Sequence, residues 1–304
     1  MNESRLIEII KKAIGSDYIG DDCAYLEDLG IVISQDSLVE DVHFSLKWMT
    51  PRELGIKSVL VNISDIFASG AKPSYLTISL SLPSNFSSEF VEDFYEGVQE
   101  VCSRYGVKVV GGDLTGGDKV FVSICIIGKT TGRKIASRAN AKQGYSVYTC
   151  GSYGSSAAGL RLLKEGKDSP KEFIIAHKTP ILYEDFATNI STLISSDYAM
   201  MDTSDGLADA LFKIAVASNL SIEIDFDKVP IDSKIKQFDN WENLVLFGGE
   251  DYGLVAVIPN TIEFAYGTLI GYALEKKISP LIINKDGKRI ELETIDDFTF
   301  NHFA

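Results

Sequence analysis

The hydrophobic positions in the first half of the chain predict alternating strands and helices. Apolar residues recur at helical spacing over residues 51–69 and 87–105, and the first helix opens with the capping-box pattern of Thr50 and Glu53. Runs of β-branched and alternating residues predict four strands, at residues 31–34, 75–83, 107–112 and 119–128. The predicted order is therefore strand, helix, strand, helix, strand, strand.

A polar segment of weak periodicity, residues 129–144, separates this half from the second. A strand follows at residues 145–151, and the remainder mixes helices near 155–165, 180–195 and 205–218 with strands near 221–225 and 253–259. We therefore predict two domains, residues 1–134 and 135–304. The predicted fold class is an N-terminal α+β domain built on a mixed sheet, followed by a C-terminal α/β domain.

Charge and composition exclude several classes of partner. The chain has 304 residues and a formal net charge of −14, which repels nucleic acid and anionic membranes and attracts divalent cations. It contains no apolar run of about 18 residues, and its N-terminus has the pattern of a short amphipathic helix, so we expect a cytoplasmic protein. Its 4 cysteines form no C-x-x-C pair and are expected to be reduced packing residues.

Carboxylates recur at the ends of the predicted elements, mostly beside glycine. They are Asp21, Asp22, Asp36, Asp65, Asp113, Asp202, Asp205, Glu250 and Asp251. Each alone can be a turn or N-cap residue, whereas oxygen ligands gathered from several loops suit Mg²⁺. Asp65 is the sharpest case, because it falls inside an apolar helix three residues after Asn62, where an unpaired charge would cost several kcal/mol.

Three other features allow two interpretations each. The segment 149–160 joins a strand to a helix through Gly151 and Gly154, and its N–H groups can hold an anion or simply form a turn. Arg138 can pair with a phosphate or remain solvated. His43, which follows the acidic strand, can be a ligand contact or a packing residue.

The motifs, taken in order, resemble those of the thiamine-monophosphate kinase family. They are "IGDDCAYL", "ISQDSLVEDVHF", "GIKSVLVNISDIFASGAKP", "GGDLT", "SRANAKQGYSVYTCG", "MMDTSDGLADAL", "LFGGEDYGL" and "FNHF". This family belongs to a superfamily with aminoimidazole ribonucleotide synthetase, selenophosphate synthetase and a hydrogenase maturation protein. The resemblance implies a homodimer that pairs its N-terminal sheets, with ATP bound between the two domains.

The resemblance also implies roles for individual residues. The implied ligands of several Mg²⁺ ions are Asp22, Ser34, Gln35, Asp36, Asp65, Asp113, Asp202 and Asp205. The implied ATP contacts are Tyr105, Gly112, Asp113, Arg138 and Ser204, and the implied substrate contacts are His43, Glu250 and Phe300. A carboxylate and an aromatic ring suit the cationic thiazolium of thiamine. Asp36, Asp113 and Asp205 are the implied catalytic residues.

The implied reaction converts thiamine monophosphate and ATP to thiamine diphosphate and ADP by direct in-line transfer. The chain departs from the family pattern at Gln35, Leu114 and Gly253, and of these Gln35 bears on a metal site. The alternatives are another reaction of the same superfamily and a binding protein without catalysis. Cys23 lies within "GDDCAY", which fits a packed position better than the reactive position of a selenophosphate synthetase.

Overall fold

The structure is a computed structural model, and it describes residues 3–295 and residue 298. Its helices are α1 Glu3–Ile14, α2 Pro51–Ala68, α3 Ser88–Tyr105, α4 Ser155–Lys164, α5 Lys171–Lys178, α6 Glu184–Leu193, α7 Leu207–Ala217 and α8 Trp241–Phe247. Its strands are β1 Ala24–Leu26, β2 Ile31–Val39, β3 Lys72–Leu82, β4 Lys108–Gly116, β5 Phe121–Lys129, β6 Ser146–Cys150, β7 Ala199–Asp202, β8 Ser221–Asp225, β9 Leu254–Ile258, β10 Thr268–Leu274, β11 Leu281–Lys285 and β12 Lys288–Leu292. None of these helices is both long enough and apolar enough to cross a membrane.

The strands form two sheets, one in each half of the chain. The first has the order β1-β2-β5-β3-β4 and the second the order β12-β11-β8-β10-β6-β9-β7. In the first sheet β3 and β4 are parallel and the other neighbours are antiparallel. The predicted mixed fold class is confirmed. The first sheet ends at Lys129 and the second begins at Ser146, while the domain boundary after residue 134 stays a prediction.

Helix α2 is the central element, because it packs against both halves of the chain. Every residue from Leu54 to Ala68 is buried, and α2 contacts β2 and β5 on one side and β7 on another. It also crosses α3 very closely: a Cβ atom at Gly55 would lie 2.1 Å from the Phe94 carbonyl oxygen, and one at Gly97 would lie 2.1 Å from the Arg52 carbonyl oxygen. Glycine is required at both positions. The close contact with α3 fixes the orientation of α2 and therefore which of its side chains face the second domain.

The "GGD" segment has a structural role that the sequence did not reveal. Strand β4 continues past Gly112 to Gly116, so Asp113 lies inside a strand and not at its end. A Cβ atom at Gly112 would lie 2.1 Å from the Ile78 carbonyl oxygen of β3. Glycine at this position therefore lets β4 approach β3, whether or not it also lets a nucleotide approach.

The second domain differs from its prediction in three places. The helix predicted at residues 180–195 begins only at Glu184, and a separate helix, α5, precedes it. The helix predicted at 205–218 begins at Leu207, because residues 203–206 form a turn closed by the Gly206 N–H and the Thr203 carbonyl oxygen at 3.1 Å. Helix α8 and strands β7 and β10 to β12 were not predicted, since they are short and carry little periodic signal.

Candidate active site

Three carboxylates from distant parts of the sequence meet beside α2. Asp22 precedes β1, Asp65 lies in the last turns of α2, and Asp202 ends β7. One carboxylate oxygen from each lies within 4.8 Å of those of the other two. We call these three residues the aspartate cluster. It joins the two domains, because Asp202 belongs to the second sheet and Asp65 packs against the first.

Hydroxyl groups orient the carboxylates of the aspartate cluster. Ser34 Oγ donates a hydrogen bond to Asp65 Oδ2, and Ser64 Oγ donates to Asp202 Oδ2 at 2.6 Å. The Ser204 hydroxyl and N–H donate to Asp202 Oδ1 at 2.9 and 3.3 Å. These donors hold the side chains in place but carry no positive charge.

The charge of the aspartate cluster is poorly compensated by the protein. Burial, followed by the neighbouring Asp36, Asp202 and Asp22, raises the pKa of Asp65 well above its usual value. Burial and Asp22 likewise raise the pKa of Asp202 to about 7, even though three hydrogen bonds act to lower it. Both shifts indicate that the hydrogen bonds do not fully offset the burial and mutual repulsion of the ionised forms, as expected of a site that accepts a cation.

Arg138 is a basic side chain that forms an ion pair with the cluster. The guanidinium of Arg138 donates to Asp22 Oδ1 at 2.8 Å, and the backbone N–H of Arg138 donates to Asp21 Oδ1 at 2.6 Å. Burial acts to lower the pKa of Arg138, but Asp22 and its neighbours raise it overall. One guanidinium does not balance three carboxylates, so the donor set fits an added divalent cation.

The predicted ligands on β2 divide between the two faces of the sheet. Asp36 lies on the same face as Ser34, its N–H donates to Asn62 Oδ1 of α2 at 3.1 Å, and its charge acts on Asp65. Gln35 lies on the opposite face, where its side-chain amide donates to Ser123 Oγ at 3.1 Å. The Gln35 side chain is thus directed away from the aspartate cluster, and a role for its backbone oxygen stays a prediction.

A second acidic site lies beside the cluster, around Glu250. Lys57 Nζ of α2 is 2.8 Å from Glu250 Oε1, and His177 Nδ1 of α5 is 3.2 Å from Glu250 Oε2. His43 accepts a hydrogen bond from the Val39 N–H at 2.9 Å, and its charge acts on the Glu250 carboxyl. Two of the three predicted substrate residues, His43 and Glu250, are therefore neighbours, whereas Phe300 lies outside the described residues.

Tyr252 connects the two sites. It is buried, and burial followed by Glu250, Asp36, Asp202 and Asp65 raises the pKa of its hydroxyl well above the usual value. The same side chain therefore feels the charge of Glu250 and of the aspartate cluster. The two acidic sites form one continuous region at the junction of the domains.

Comparison with known proteins now identifies the family. Residues 20–130 match the model "AIR synthase related protein, N-terminal domain". The thiamine-monophosphate kinase of Bacillus subtilis is 36% identical over 308 residues, which cover 94% of this chain and 93% of that protein. The chain belongs to the thiamine-monophosphate kinase family. The predicted family is therefore confirmed.

Solved structures of the thiamine-monophosphate kinase family have the same fold. One, described as "AaThiL complexed with AMPPCP and TMP", has a TM-score of 0.88 and 34% identity, and the match covers 99% of this chain and 97% of that one. Another, thiamine monophosphate kinase from Aquifex aeolicus, has a TM-score of 0.83 and 35% identity, with 95% and 97% covered. The two-domain arrangement is thus that of the family.

Asp205, a predicted metal ligand and catalytic residue, is not part of the aspartate cluster. Lys213 Nζ lies 3.0 Å from Asp205 Oδ2 and 2.7 Å from Asp209 Oδ2. Burial raises the pKa of Asp209 to about 6, although Lys213 acts to lower it. Asp205 thus already has a cationic neighbour within the chain.

Tyr105, Gly112 and Asp113 form a separate group along α3 and β4. Tyr105 packs edge-on against Phe67, which lies about 200° around α2 from Asp65, and it lines a cavity of about 510 Å³. Gly112 is aligned with Asp36 through β5 and β3, which places Asp113 about 14 Å from Asp36 across the sheet. Asp113 is thus not among the carboxylates of the aspartate cluster, and the predicted ATP contacts of Tyr105, Gly112 and Asp113 stay predictions.

Sequence reasoning noted Asp251 as a carboxylate beside glycine but gave it no role, and it missed Lys57. Asp251 accepts hydrogen bonds from the N–H groups of Gly154 and Ser156 at 2.6 and 2.8 Å, so the anion at the start of α4 is a side chain of the protein itself. Burial raises the pKa of Asp251 to about 7, and these N–H groups act to lower it. Lys57 had a visible signal, because it is a lysine in the middle of the apolar run "LGIKSVLV".

Proposed function

We propose that the chain transfers the terminal phosphate of ATP to thiamine monophosphate, giving thiamine diphosphate and ADP. The observation that carries this proposal is the aspartate cluster, whose uncompensated charge suits the binding of metal-complexed phosphates. Two comparisons support it: the curated relatives are thiamine-monophosphate kinases, and one solved relative is a complex with AMPPCP and TMP.

The residues of the cluster fit Mg²⁺. Asp22, Asp65 and Asp202 would hold it, with Ser34 and Asp36 beside them and Asp205 as a further candidate. When bound, Mg²⁺ offsets the charge of the two phosphate groups that must approach each other. Arg138 and Ser204 lie against the cluster and are the proposed ATP contacts in the same chain.

The proposed reaction needs a fixed site for the two phosphates rather than a nucleophilic side chain. The acceptor phosphate is already largely ionised at neutral pH, so it needs no strong general base. Cys23, the thiol nearest to the cluster, is buried and directs Sγ to the Asp65 carbonyl oxygen at 3.3 Å. Burial and Asp65 raise the pKa of Cys23 well above its usual value, which makes it a poor nucleophile. We therefore propose direct transfer without a phosphoenzyme.

We also propose a homodimer formed through β4. This strand is the edge of the first sheet, all of its residues are exposed, and Val110 and Leu114 place apolar side chains there. Pairing at this edge would cover them and would bring Tyr105, Gly112 and Asp113 to a second chain. Sedimentation should show a dimer that Leu114→Lys weakens, and a monomeric wild-type protein would reject the pairing.

The proposed reaction is tested by incubating the purified protein with ATP, Mg²⁺ and thiamine monophosphate and measuring thiamine diphosphate by chromatography. Free thiamine and aminoimidazole precursors serve as control acceptors. We expect diphosphate to form only from the monophosphate. Absence of turnover, or preferred turnover of a control acceptor, would reject the function.

A further inference from the structure

Glu250 lies in a loop whose backbone is held in an uncommon conformation. Its φ is +64° and that of Tyr252 is +51°, a region that costs a side-chain-bearing residue about 1–2 kcal/mol. The Glu250 N–H donates to the Ser204 carbonyl oxygen at 2.6 Å. Such strain persists where surrounding contacts determine the conformation, and it is concentrated at functional sites.

The side chain of Glu250 is fixed by a lysine that has no access to solvent. The Lys57 side chain is 0% exposed, whereas that of Glu250 is 25% exposed. Besides its ion pair with Glu250 at 2.8 Å, Lys57 Nζ donates to the His177 carbonyl oxygen at 3.1 Å. Lys57 thus ties α2 to the end of α5 and to the Glu250 loop.

The neighbouring His177 contacts Glu250 with a neutral ring. Burial, followed by Lys57, lowers the pKa of His177 to about 4, so its ring is neutral at physiological pH. Its Nδ1 lies 3.2 Å from Glu250 Oε2 and 3.1 Å from Ser156 Oγ. Burial acts to raise the pKa of Glu250, but Lys57 leads the neighbouring groups that together lower it overall.

We propose that Lys57 is a positioning residue that holds the Glu250 carboxylate in the one place and orientation from which it meets the cationic part of thiamine monophosphate. This inference rests on the proposed function. Both Glu250 oxygens have interior partners, while the Glu250 side chain as a whole stays 25% exposed and so can be approached by a ligand. Without Lys57, a buried Glu250 would either take up a proton or rotate towards water, and in both cases the substrate would lose a fixed counter-charge.

The test compares Lys57→Met and Lys57→Gln with the wild-type enzyme. The first removes both charge and donors, and the second keeps amide donors without the charge. We expect the KM for thiamine monophosphate to rise about tenfold or more in Lys57→Met and less in Lys57→Gln. The KM for ATP and kcat should change less than about threefold, since Lys57 contacts neither the aspartate cluster nor Arg138 in the structure.

Arg52→Met is the matched control. Arg52 is a cation on the same helix and pairs with Glu96 and Glu100 at 3.5 and 3.0 Å, but at the exposed surface. This variant should leave both KM values unchanged.

A pH series separates positioning from folding. In Lys57→Met, the KM for thiamine monophosphate should rise as the pH falls from 8 to 6, because Glu250 then keeps its burial and loses its main cation. The other groups that face it are His177 from α5, His43 from the loop after β2, and Asp251 and Tyr252 from its own loop. The wild-type KM should vary less over this range.

The outcomes are distinguishable. An unchanged KM for thiamine monophosphate in both Lys57 variants would overturn the inference, and so would an equal rise in the two KM values. Failure of both variants to fold would assign Lys57 to stability and also overturn it. Absence of turnover in the wild-type protein would instead reject the proposed function.

Discussion

The two acidic sites at the domain junction differ in how their charge is balanced. The aspartate cluster contains three carboxylates, one of which is paired with the Arg138 guanidinium, while the single carboxylate of Glu250 is paired with the buried Lys57. The pKa of Asp65 is accordingly raised and that of Glu250 lowered, although both side chains are largely removed from water. The cluster is suited to receive a cation from solution, whereas Glu250 is suited to present a fixed negative charge.

The largest expected effect comes from reducing the charge of the cluster. Asp202→Asn should lower the rate of phosphate transfer at least about 100-fold, because the reacting phosphates lose part of their binding site. Asp239→Asn, at an exposed position, is the control and should retain full activity. Steady-state kinetics measure both, and an Asp202 variant within threefold of wild type would contradict the assignment.

The next effect, on stability rather than on rate, should distinguish the Glu250 site by its pH dependence. His177 has a pKa of about 4 in the folded chain because of burial, against about 6.5 when unfolded. Between these two pH values the unfolded chain binds a proton on His177 that the folded chain does not bind. The free energy of unfolding is therefore unaffected by His177 protonation above pH 6.5 and decreases as the pH falls towards 4. The full loss, below pH 4, should be about 3 kcal/mol.

Urea unfolding between pH 4 and 7 measures this contribution. His177→Gln should be less stable overall but should show a shallower decline with acid than the wild-type protein. Identical slopes for the two proteins would mean that His177 does not remain neutral in the fold.

The smallest effect is expected on the outer face of the first sheet. Gln35→Ala should change the free energy of unfolding by less than about 0.5 kcal/mol and leave the Mg²⁺ dependence of activity unaltered. The reason is that the Gln35 side chain bonds Ser123 on the face opposite to Asp36. A several-fold rise in the Mg²⁺ concentration needed for half-maximal activity would show that this side chain reaches the metal site.

The sequence predicted the elements of the first domain better than those of the second. Helix α2 carries a long apolar pattern with a capping box, and its predicted and observed bounds agree to within one residue at its C-terminus. Helix α5 and strands β10 to β12 are 5–8 residues long, which leaves too little periodicity to separate them from loops. The mixed fold class followed from the order of the stronger elements.

The candidate site was predictable as a set of residue types but not as an arrangement. An aspartate inside an apolar helix indicated that Asp65 needs a partner, yet which loops meet it depends on how α2 packs against β7. The separation of Asp113 from Asp36 arises from strand order, which no local pattern specifies. The pairing of Lys57 with Glu250 joins positions 193 residues apart and could be found only from the fold.

The most direct test of whether the aspartate cluster lacks a cation is whether Asp65→Asn unfolds at a higher or a lower temperature than the wild type. With EDTA present and no nucleotide, thermal unfolding of Asp65→Asn is compared with that of the wild type and of Asp205→Asn, whose carboxylate already pairs with Lys213. Asp65→Asn should unfold about 2 °C or more above wild type, because it removes a buried charge that burial and three carboxylates oppose, whereas Asp205→Asn should show no increase. An Asp65→Asn protein that unfolds below wild type in EDTA would contradict the account.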